Sequence, residues 1–352
     1  MSGAPLRWAA AAIAIVALFV VPPLWGHFLP QQLSDYLIFG LPALAVGLIA
    51  GHARLLNIGV GATFGVSAYA VAIMTHHGVL NPVVLVLVAL AAGVLVSVLF
   101  AVYAIVATGL EYLLLTLLTT AAFFALPLLF AGETGGENGL AAKGVVVISF
   151  GLDPLIGNGF YWLICAVTVF WCFLSWYLLS SRAGRVMVAI GRNPTRAAAM
   201  GYSVHGYQVA VTLYSGAIAA SGGWLYALNH AFVFEDLLGL GTSVNVVVYS
   251  LVGGVNTIVG PLLGAAGIRW LSDSLGRMPS QDLPRVVAQL LGQPQLIIGL
   301  VLLVVVYFMP DGVVGLVGQL TRLRQLVRSR GDVEAEPIGG TLARELGSGA
   351  DD

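Results

Sequence analysis

Residues 82–107 read PVVLVLVALAAGVLVSVLFAVYAIVA, a continuous apolar stretch without a charged side chain. An α-helix rises 1.5 Å per residue, so about 20 apolar residues cross the roughly 30 Å hydrocarbon core of a bilayer. This stretch is therefore long enough to cross a membrane, and the sequence predicts one transmembrane helix here.

Other apolar stretches lie on both sides of it, and they too are almost free of Asp, Glu, Lys and Arg. The predicted spans are residues 8–25, 36–50, 57–74, 82–107, 111–130, 160–179, 208–228, 243–256, 258–275 and 295–310. The sequence therefore predicts an all-α, polytopic integral membrane protein with about ten membrane-spanning helices. We expect some of the shorter spans to be tilted, broken or re-entrant, and the first to be a retained signal anchor.

Composition supports the membrane assignment. Hydrophobic residues make up 59% of the 352 residues and charged residues only 9%, with a mean hydropathy of +0.96, whereas soluble domains are about 25% charged. A net charge of −1 gives no reason to expect a nucleic-acid partner. The 44 glycines suit membrane helices that approach each other closely. Cys165 and Cys172 are seven positions apart on one predicted helix, too far for a disulfide, so we interpret both as packing residues.

The distribution of Lys and Arg predicts the orientation, because cytoplasmic loops carry an excess of these residues. With both termini inside, eleven of the fifteen basic residues lie in inner segments. The other four are Lys143, Arg269, Arg277 and Arg285. The sequence therefore predicts that both termini are cytoplasmic.

Three segments lie between or beyond the spans. Residues 131–159 form a Gly-rich outer loop, and residues 180–207 form an Arg-rich inner loop. We assign residues 1–320 to the transmembrane domain and residues 321–352 to a charged cytoplasmic tail, part of which we expect to be disordered.

The sequence contains no motif that would supply energy for moving a solute across the membrane. It has no G-x-x-x-x-G-K-[ST] loop, and its one lysine, Lys143, precedes Gly144. Proton coupling normally needs a titratable group at membrane depth, and only Arg269 and Asp273 qualify. Because they are four residues apart on one predicted helix, we interpret them as a structural pair. The remaining alternatives are a passive channel for a small neutral solute and a permease driven by a separate subunit.

The inner loop is the candidate contact with such a subunit. Its sequence IGRNPTRAAAMG, residues 190–201, predicts a short Ala-rich helix that begins near Pro194. Asn193 or Thr195 would cap its start, and Gly201 would end it. The alternative interpretation is an ordinary basic loop on the inner side.

Four motifs, in order along the chain, resemble the permeases of branched-chain amino acid ABC importers. They are LLNIGVGATFGVSAY at residues 55–69, TGGENGL at 134–140, GGVNTIVGPLLGA at 253–265 and PDG at 310–312. Residue 67 is Ser where the family commonly has Gly. Residues 195 and 196 are Thr and Arg where an acidic residue is common, and Glu111 stands near a position where the family usually has an arginine.

The resemblance implies one transmembrane subunit of an ATP-driven importer in the bacterial inner membrane. It implies as partners a second related permease, two cytoplasmic ATPase subunits and an extracytoplasmic substrate-binding protein. This chain would bind no cofactor, because ATP and Mg would be held by the ATPase subunits. The substrate would be a branched-chain amino acid or a related small polar solute such as urea or a short amide. The coupling residues would be Arg192, Thr195, Arg196, Ala197, Ala198 and Gly201.

Polar residues within the spans are candidates for the translocation path, because polar groups in lipid need partners or a cavity. We place Asn57, Thr63 and Ser67 in one such cluster, and Asn245, Tyr249 and Asn256 near one face of the span 243–256. By contrast, Gly61 and Gly65 are interpreted as packing residues, as is the row of small residues Thr212, Ser215, Gly216, Ala219 and Gly223.

The outer motif, with Thr134, Gly135, Gly136, Asn138 and Gly139, predicts either a gate beneath a docked binding protein or a tight turn that needs positive φ. His76 and His77 are adjacent in an outer loop and have no nearby carboxylate in sequence, so we do not predict a metal site there. An intramembrane hydrolase would need a G-x-S-x-G elbow, but the sequence at residues 65–69 is GVSAY. All histidines fall outside the predicted spans, so we predict no catalytic activity.

Overall fold

The computed structural model describes residues 28–142 and 159–277, together with the single residues Gly299, Leu303, Tyr307 and Gly312. The predicted spans 8–25 and 295–310 therefore lie outside the described residues, apart from three isolated positions in the second. The predicted tail, residues 321–352, lies outside them entirely.

Helices occur at each of the eight other predicted spans. They are α1 (Phe28–His52), α2 (Val60–His76), α3 (Pro82–Val106), α4 (Leu110–Leu129), α6 (Gly159–Ser180), α9 (Val204–His230), α10 (Leu240–Gly253) and α11 (Gly260–Gly276). Shorter elements connect them: α5 (Ala131–Thr134), α7 (Arg182–Arg192), α8 (Pro194–Ala199), and 3₁₀ turns at Gly136–Asn138 and Glu235–Leu238. Strands β1 (Leu140–Ala141) and β2 (Phe232–Val233) pair antiparallel.

The all-α, polytopic membrane architecture is confirmed, since several of these helices have the length and apolarity of a membrane span. Four described helices meet both criteria in full: Leu29–His52, Pro82–Val106, Leu110–Leu129 and Gly159–Ser180. The helices Val60–His76 and Leu240–Gly253 are apolar but shorter. The total of ten spans and the orientation stay predictions.

The centre of the protein is built from α1, α2 and α9, and α9 also packs against α3. Small residues allow this close packing. A Cβ at Gly216 of α9 would lie 1.7 Å from the Ser97 Oγ of α3, and a Cβ at Gly93 would lie 2.4 Å from the Ala220 Cβ. The predicted packing role of the small residues on α9 is confirmed, because close backbone approach is what holds membrane helices together.

The outward faces of α3, α4 and α6 carry large apolar side chains. Leu95 is 72% exposed, Leu118 63% and Phe173 62%. Such apolar exposure is unusual for a soluble surface but is expected of side chains that contact lipid. These three helices therefore form part of the lipid-facing surface.

Candidate coupling and translocation sites

Residues 181–202, here called the coupling hairpin, contain α7 and α8. Helix α8 begins at Asn193, whose Oδ1 accepts a hydrogen bond from the Arg196 backbone N–H at 2.9 Å. Pro194 occupies the first helical position, where no N–H is needed. Of the two predicted caps, Asn193 is therefore the one that forms.

Helix α8 ends at a glycine in the left-handed region. Gly201 has φ +86°, and its N–H donates to the Ala198 carbonyl at 2.9 Å. The N–H of Tyr202 donates to the Ala197 carbonyl at 3.2 Å. These two bonds form a Schellman motif, which satisfies carbonyls left free at a helix end. The predicted end of the helix at Gly201 is confirmed.

The two faces of α8 differ sharply in exposure. Ala197 is 1% exposed and packs against the rest of the protein, whereas Thr195, Arg196 and Ala198 are exposed. Met200 is 60% exposed despite its apolar side chain. One small side chain therefore anchors the helix, while its other residues are free to contact another molecule.

A groove of about 390 Å³ separates α7 from α8. Its lining combines apolar side chains with three arginines. The lining residues are Leu179, Arg185, Val188, Ala189, Arg192, Asn193, Arg196, Ala197 and Met200. The coupling hairpin thus presents a concave, basic surface next to an exposed short helix.

The outer motif forms a tight turn between α5 and β1. Gly135, Gly136 and Gly139 have φ values of +79°, +57° and +71°, so the prediction of a turn that needs positive φ is confirmed. The Thr134 hydroxyl donates to the Pro127 carbonyl at 2.6 Å. Asn138 ends the 3₁₀ turn with an exposed side chain. The pairing of β1 with β2 then ties this turn to the end of α9.

Asn57, Thr63 and Ser67 are each 2% exposed or less. The Asn57 Oδ1 accepts from the Gly59 N–H at 2.7 Å, and Ser67 donates to the Ala220 carbonyl at 2.7 Å. Thr63 donates to the Gly59 carbonyl at 3.5 Å. Each of these residues therefore makes at least one hydrogen bond within the chain, and the Ser67 bond joins α2 to α9.

The second predicted cluster is divided between two places. Tyr249 is buried and Asn245 is half-buried on α10, but α10 ends at Gly253. The prediction that Asn256 shares their helix face is therefore wrong, because the chain leaves the helix three residues earlier. Gly254 adopts φ +108°, a conformation that turns the backbone away from the helix axis.

Asn256 instead lines a second concavity, here called the inner cavity. This cavity has a volume of about 330 Å³ and lies between the end of α1, helix α7 and the turn after α10. Its lining residues are Gly51, His52, Arg54, Val188, Arg192 and Asn256. Arg192 and Val188 thus line both the groove and the inner cavity.

A charged cluster that the sequence analysis missed joins α1, α9 and α11. The Asp35 carboxylate lies 2.6 Å from the Arg269 Nη2 and 2.9 Å from the His230 Nε2. Asp273 accepts a hydrogen bond from the Tyr36 hydroxyl at 2.9 Å. Arg269 therefore pairs with Asp35, and the prediction that Arg269 and Asp273 pair with each other is wrong.

Aromatic rings surround this cluster. The Arg269 guanidinium lies 3.8 Å from the centre of the Phe39 ring, a cation–π arrangement. The Tyr226 ring stacks on His230 at 4.1 Å. The signal that could have revealed the cluster was Asp35 itself, one residue before the predicted span 36–50.

Three helices extend past the predicted spans and include histidines. His52, His76 and His230 lie in the last turns of α1, α2 and α9. His77 follows α2, and its Nε2 lies 2.8 Å from the Glu133 carboxylate, in an exposed pair. The structure thus brings together two residues 56 positions apart.

Comparison with known proteins places this architecture in a transporter family. The chain is 28% identical over 271 residues to the autoinducer 2 import system permease protein LsrC of Enterobacter sp. (strain 638), covering 74% of this chain and 76% of that protein. It is 30% identical over 142 residues to the fructose import permease protein FrcC of Rhizobium meliloti, covering 38% of this chain and 39% of that protein. No match to a solved structure was found.

The family model described as the permease component of branched-chain amino acid transport systems matches residues 30–310. This range includes the helices of the described core and the coupling hairpin. Members are inner-membrane permease subunits of ABC transporters, and they leave ATP hydrolysis to partner subunits. The chain belongs to this family of ABC transporter permeases.

Proposed function

We propose that this chain is one of two related permease subunits of an ATP-driven importer. It pairs with two cytoplasmic ATPase subunits and receives its solute from an extracytoplasmic binding protein. The substrate class that we propose is a branched-chain amino acid or a related small polar solute. Family membership supports the permease role, and the names of two relatives, which import autoinducer 2 and fructose, show that substrates vary among similar proteins.

The coupling hairpin is the observation that carries this proposal. Helix α8 is held by its buried Ala197 and leaves Thr195, Arg196 and Ala198 exposed. A passive channel has no use for such a helix, whereas an importer needs a rigid contact that passes ATPase movement to its membrane helices. Arg192 is the last residue of α7, and Gly201 follows the end of α8. All six predicted coupling residues therefore lie within the coupling hairpin.

For the translocation path we propose Asn245 and Tyr249 on α10, together with Thr63 and Ser67 on α2 and Asn57 just before α2. A contact between the two helices supports this grouping, because a Cβ at Gly61 of α2 would lie 2.2 Å from the Ser243 Oγ of α10. Opening of a path here would require α10 to move against α2. Asn256 would border the path only at its inner end.

The outer turn, with Thr134, Gly135, Gly136, Asn138 and Gly139, is the surface that we propose for the binding protein. Its backbone is held by the strand pair and by the hydrogen bond from the Thr134 hydroxyl to the Pro127 carbonyl. A rigid turn loses little conformational entropy when a partner docks.

The decisive experiment is Ala198→Arg. If α8 sits in an ATPase groove, a large charged side chain replaces a small one there, and overpacking costs about 1–3 kcal/mol, roughly a five- to hundred-fold loss of affinity. We expect solute uptake and ATPase association to fall together, while the abundance of the permease in the membrane stays normal.

Ala183→Arg is the matched control, because Ala183 is also an exposed alanine but lies in the first turn of α7, outside α8. It should leave uptake close to wild type. Full uptake and full ATPase association in Ala198→Arg would overturn the proposal and favour a passive channel.

A further inference from the structure

The inner cavity includes two ionisable residues, His52 and Arg54, to which the transport proposal gives no role. It is formed by the end of α1, helix α7 and the turn after α10, three parts of the chain that are distant in sequence. Its polar lining groups are the Arg54 and Arg192 guanidiniums, the His52 imidazole and the Asn256 amide. A concavity with convergent polar groups is the usual form of a small-ligand site.

Every ionisable group that lines the cavity is a cation or can become one. Carboxylates are absent from its lining, and in the part of the chain that the structure describes neither arginine forms an ion pair. Both arginines are exposed, so an anion from solvent can approach their guanidiniums, and two like charges at one cavity favour an anion there.

The backbone at Arg54 is also unusual. Arg54 has φ +55°, a left-handed conformation that non-glycine residues rarely adopt. Glycine would occupy this position with less strain, yet the chain places an arginine there that lines the cavity. Strained residues concentrate at ligand sites, which is consistent with a binding role for this side chain.

We propose that the inner cavity binds a phosphate group. A guanidinium presents a planar fork of donors that matches phosphate oxygens, and phosphate attracts two such forks. The cavity lies where α1 ends, at the membrane boundary that the arginine distribution predicts to be cytoplasmic, and basic pockets between helices on that side suit phospholipid headgroups. The phosphate belongs either to an anionic lipid or to a soluble phosphate compound.

The test uses the purified full-length chain without any ATPase. Inorganic phosphate binding is measured by 31P NMR line broadening. Retained lipid is measured by native mass spectrometry after exposure to phosphatidylglycerol or to phosphatidylcholine. We expect saturable phosphate binding and preferential retention of phosphatidylglycerol.

Two variants should each weaken binding about tenfold, the loss expected for one charge-assisted contact. Arg192→Gln removes one cation, and Arg54→Gly removes the other at a position whose φ glycine accepts without strain. Arg182→Gln is the matched control, since Arg182 is exposed on α7 but does not line the cavity. Size-exclusion profiles report whether each variant is folded.

The outcomes separate the possible ligands. Retention of phosphatidylglycerol without binding of inorganic phosphate assigns the cavity to lipid, and the reverse assigns it to a soluble compound. Failure of both probes to bind, or equal binding by Arg54→Gly, overturns the proposal. Solute uptake is not measured, so this result is independent of the transport proposal.

Discussion

At the scale of single residues, the Asp35 carboxylate has the largest electrostatic consequence. It contacts cationic or ionisable groups on two other helices, through Arg269 and His230. Its side chain is 21% exposed and that of Arg269 is 23% exposed. Charges in such surroundings are costly to leave unpaired, so this one carboxylate links α1 to α9 and α11.

Asp35→Asn should therefore destabilise the protein. Removing one partner of a buried pair costs about 3–5 kcal/mol. Because both side chains are partly exposed here, we expect the free energy of unfolding to fall by about 3 kcal/mol. The measurement is the thermal unfolding midpoint of the purified chain in detergent. Asp35→Asn combined with Arg269→Gln should lose less than the sum of the single variants, because the double variant removes both charges of the Asp35–Arg269 pair.

Glu133→Gln is the control for this prediction. Its partner is His77, and the two side chains are 61% and 55% exposed. Exposed pairs contribute about 0–1 kcal/mol, so this variant should barely change the midpoint. An equal effect of the two substitutions would show that the Asp35 cluster is no stronger than a surface pair.

At the scale of secondary-structure elements, α8 is specified almost entirely by its own residues. Asn193 caps its start, Pro194 begins it and Gly201 ends it. Helix α1 shows the opposite case, since it begins at Phe28, before the predicted span at residue 36. The charge of Asp35 limited the predicted span, whereas the helix includes that position, where Asp35 pairs with Arg269.

Gly201→Ala tests the importance of the end of α8. No atom lies within 4 Å of a Cβ placed at Gly201, so the added methyl group meets no clash. The substitution destabilises the helix end only because alanine disfavours φ +86°, which costs about 1 kcal/mol. We expect ATPase association to weaken about fivefold while the amount of inserted protein is unchanged. The measurement is co-purification of the cognate ATPase at several concentrations.

The matched control is Gly132→Ala. A Cβ there also meets nothing within 4 Å, but Gly132 is not in the positive-φ region. This variant should behave as wild type. A normal association for Gly201→Ala would mean that the shape of the helix end does not matter for coupling.

At the scale of the whole molecule, the orientation can be tested with cysteine labelling. In a chain with Cys165 and Cys172 replaced by alanine, Glu137→Cys and Arg192→Cys each offer one exposed thiol. A membrane-impermeant reagent added to intact cells should label Glu137→Cys and spare Arg192→Cys, because eleven of fifteen basic residues are assigned to the inside. The reverse pattern would contradict the orientation.

The labelling also has an internal control. Both variants should react equally once the membrane is permeabilised, since both side chains are exposed in the structure. Unequal labelling after permeabilisation would mean that access, rather than sidedness, determines the result.

The sequence by itself determined the all-α membrane class, the positions of most helices, the start of α8 near Pro194 and its end at Gly201, the glycine turn at residues 135–139 and the family. These features depend on apolar runs and on hydrogen bonds between residues a few positions apart, so a local reading of the chain captures them. The tertiary structure alone decided that Arg269 pairs with Asp35, 234 positions away, and that Asn256 joins Arg54 and Arg192 in one cavity. Such partners are chosen by how helices pack against each other, and in lipid that packing follows from shape and small residues rather than from an apolar pattern.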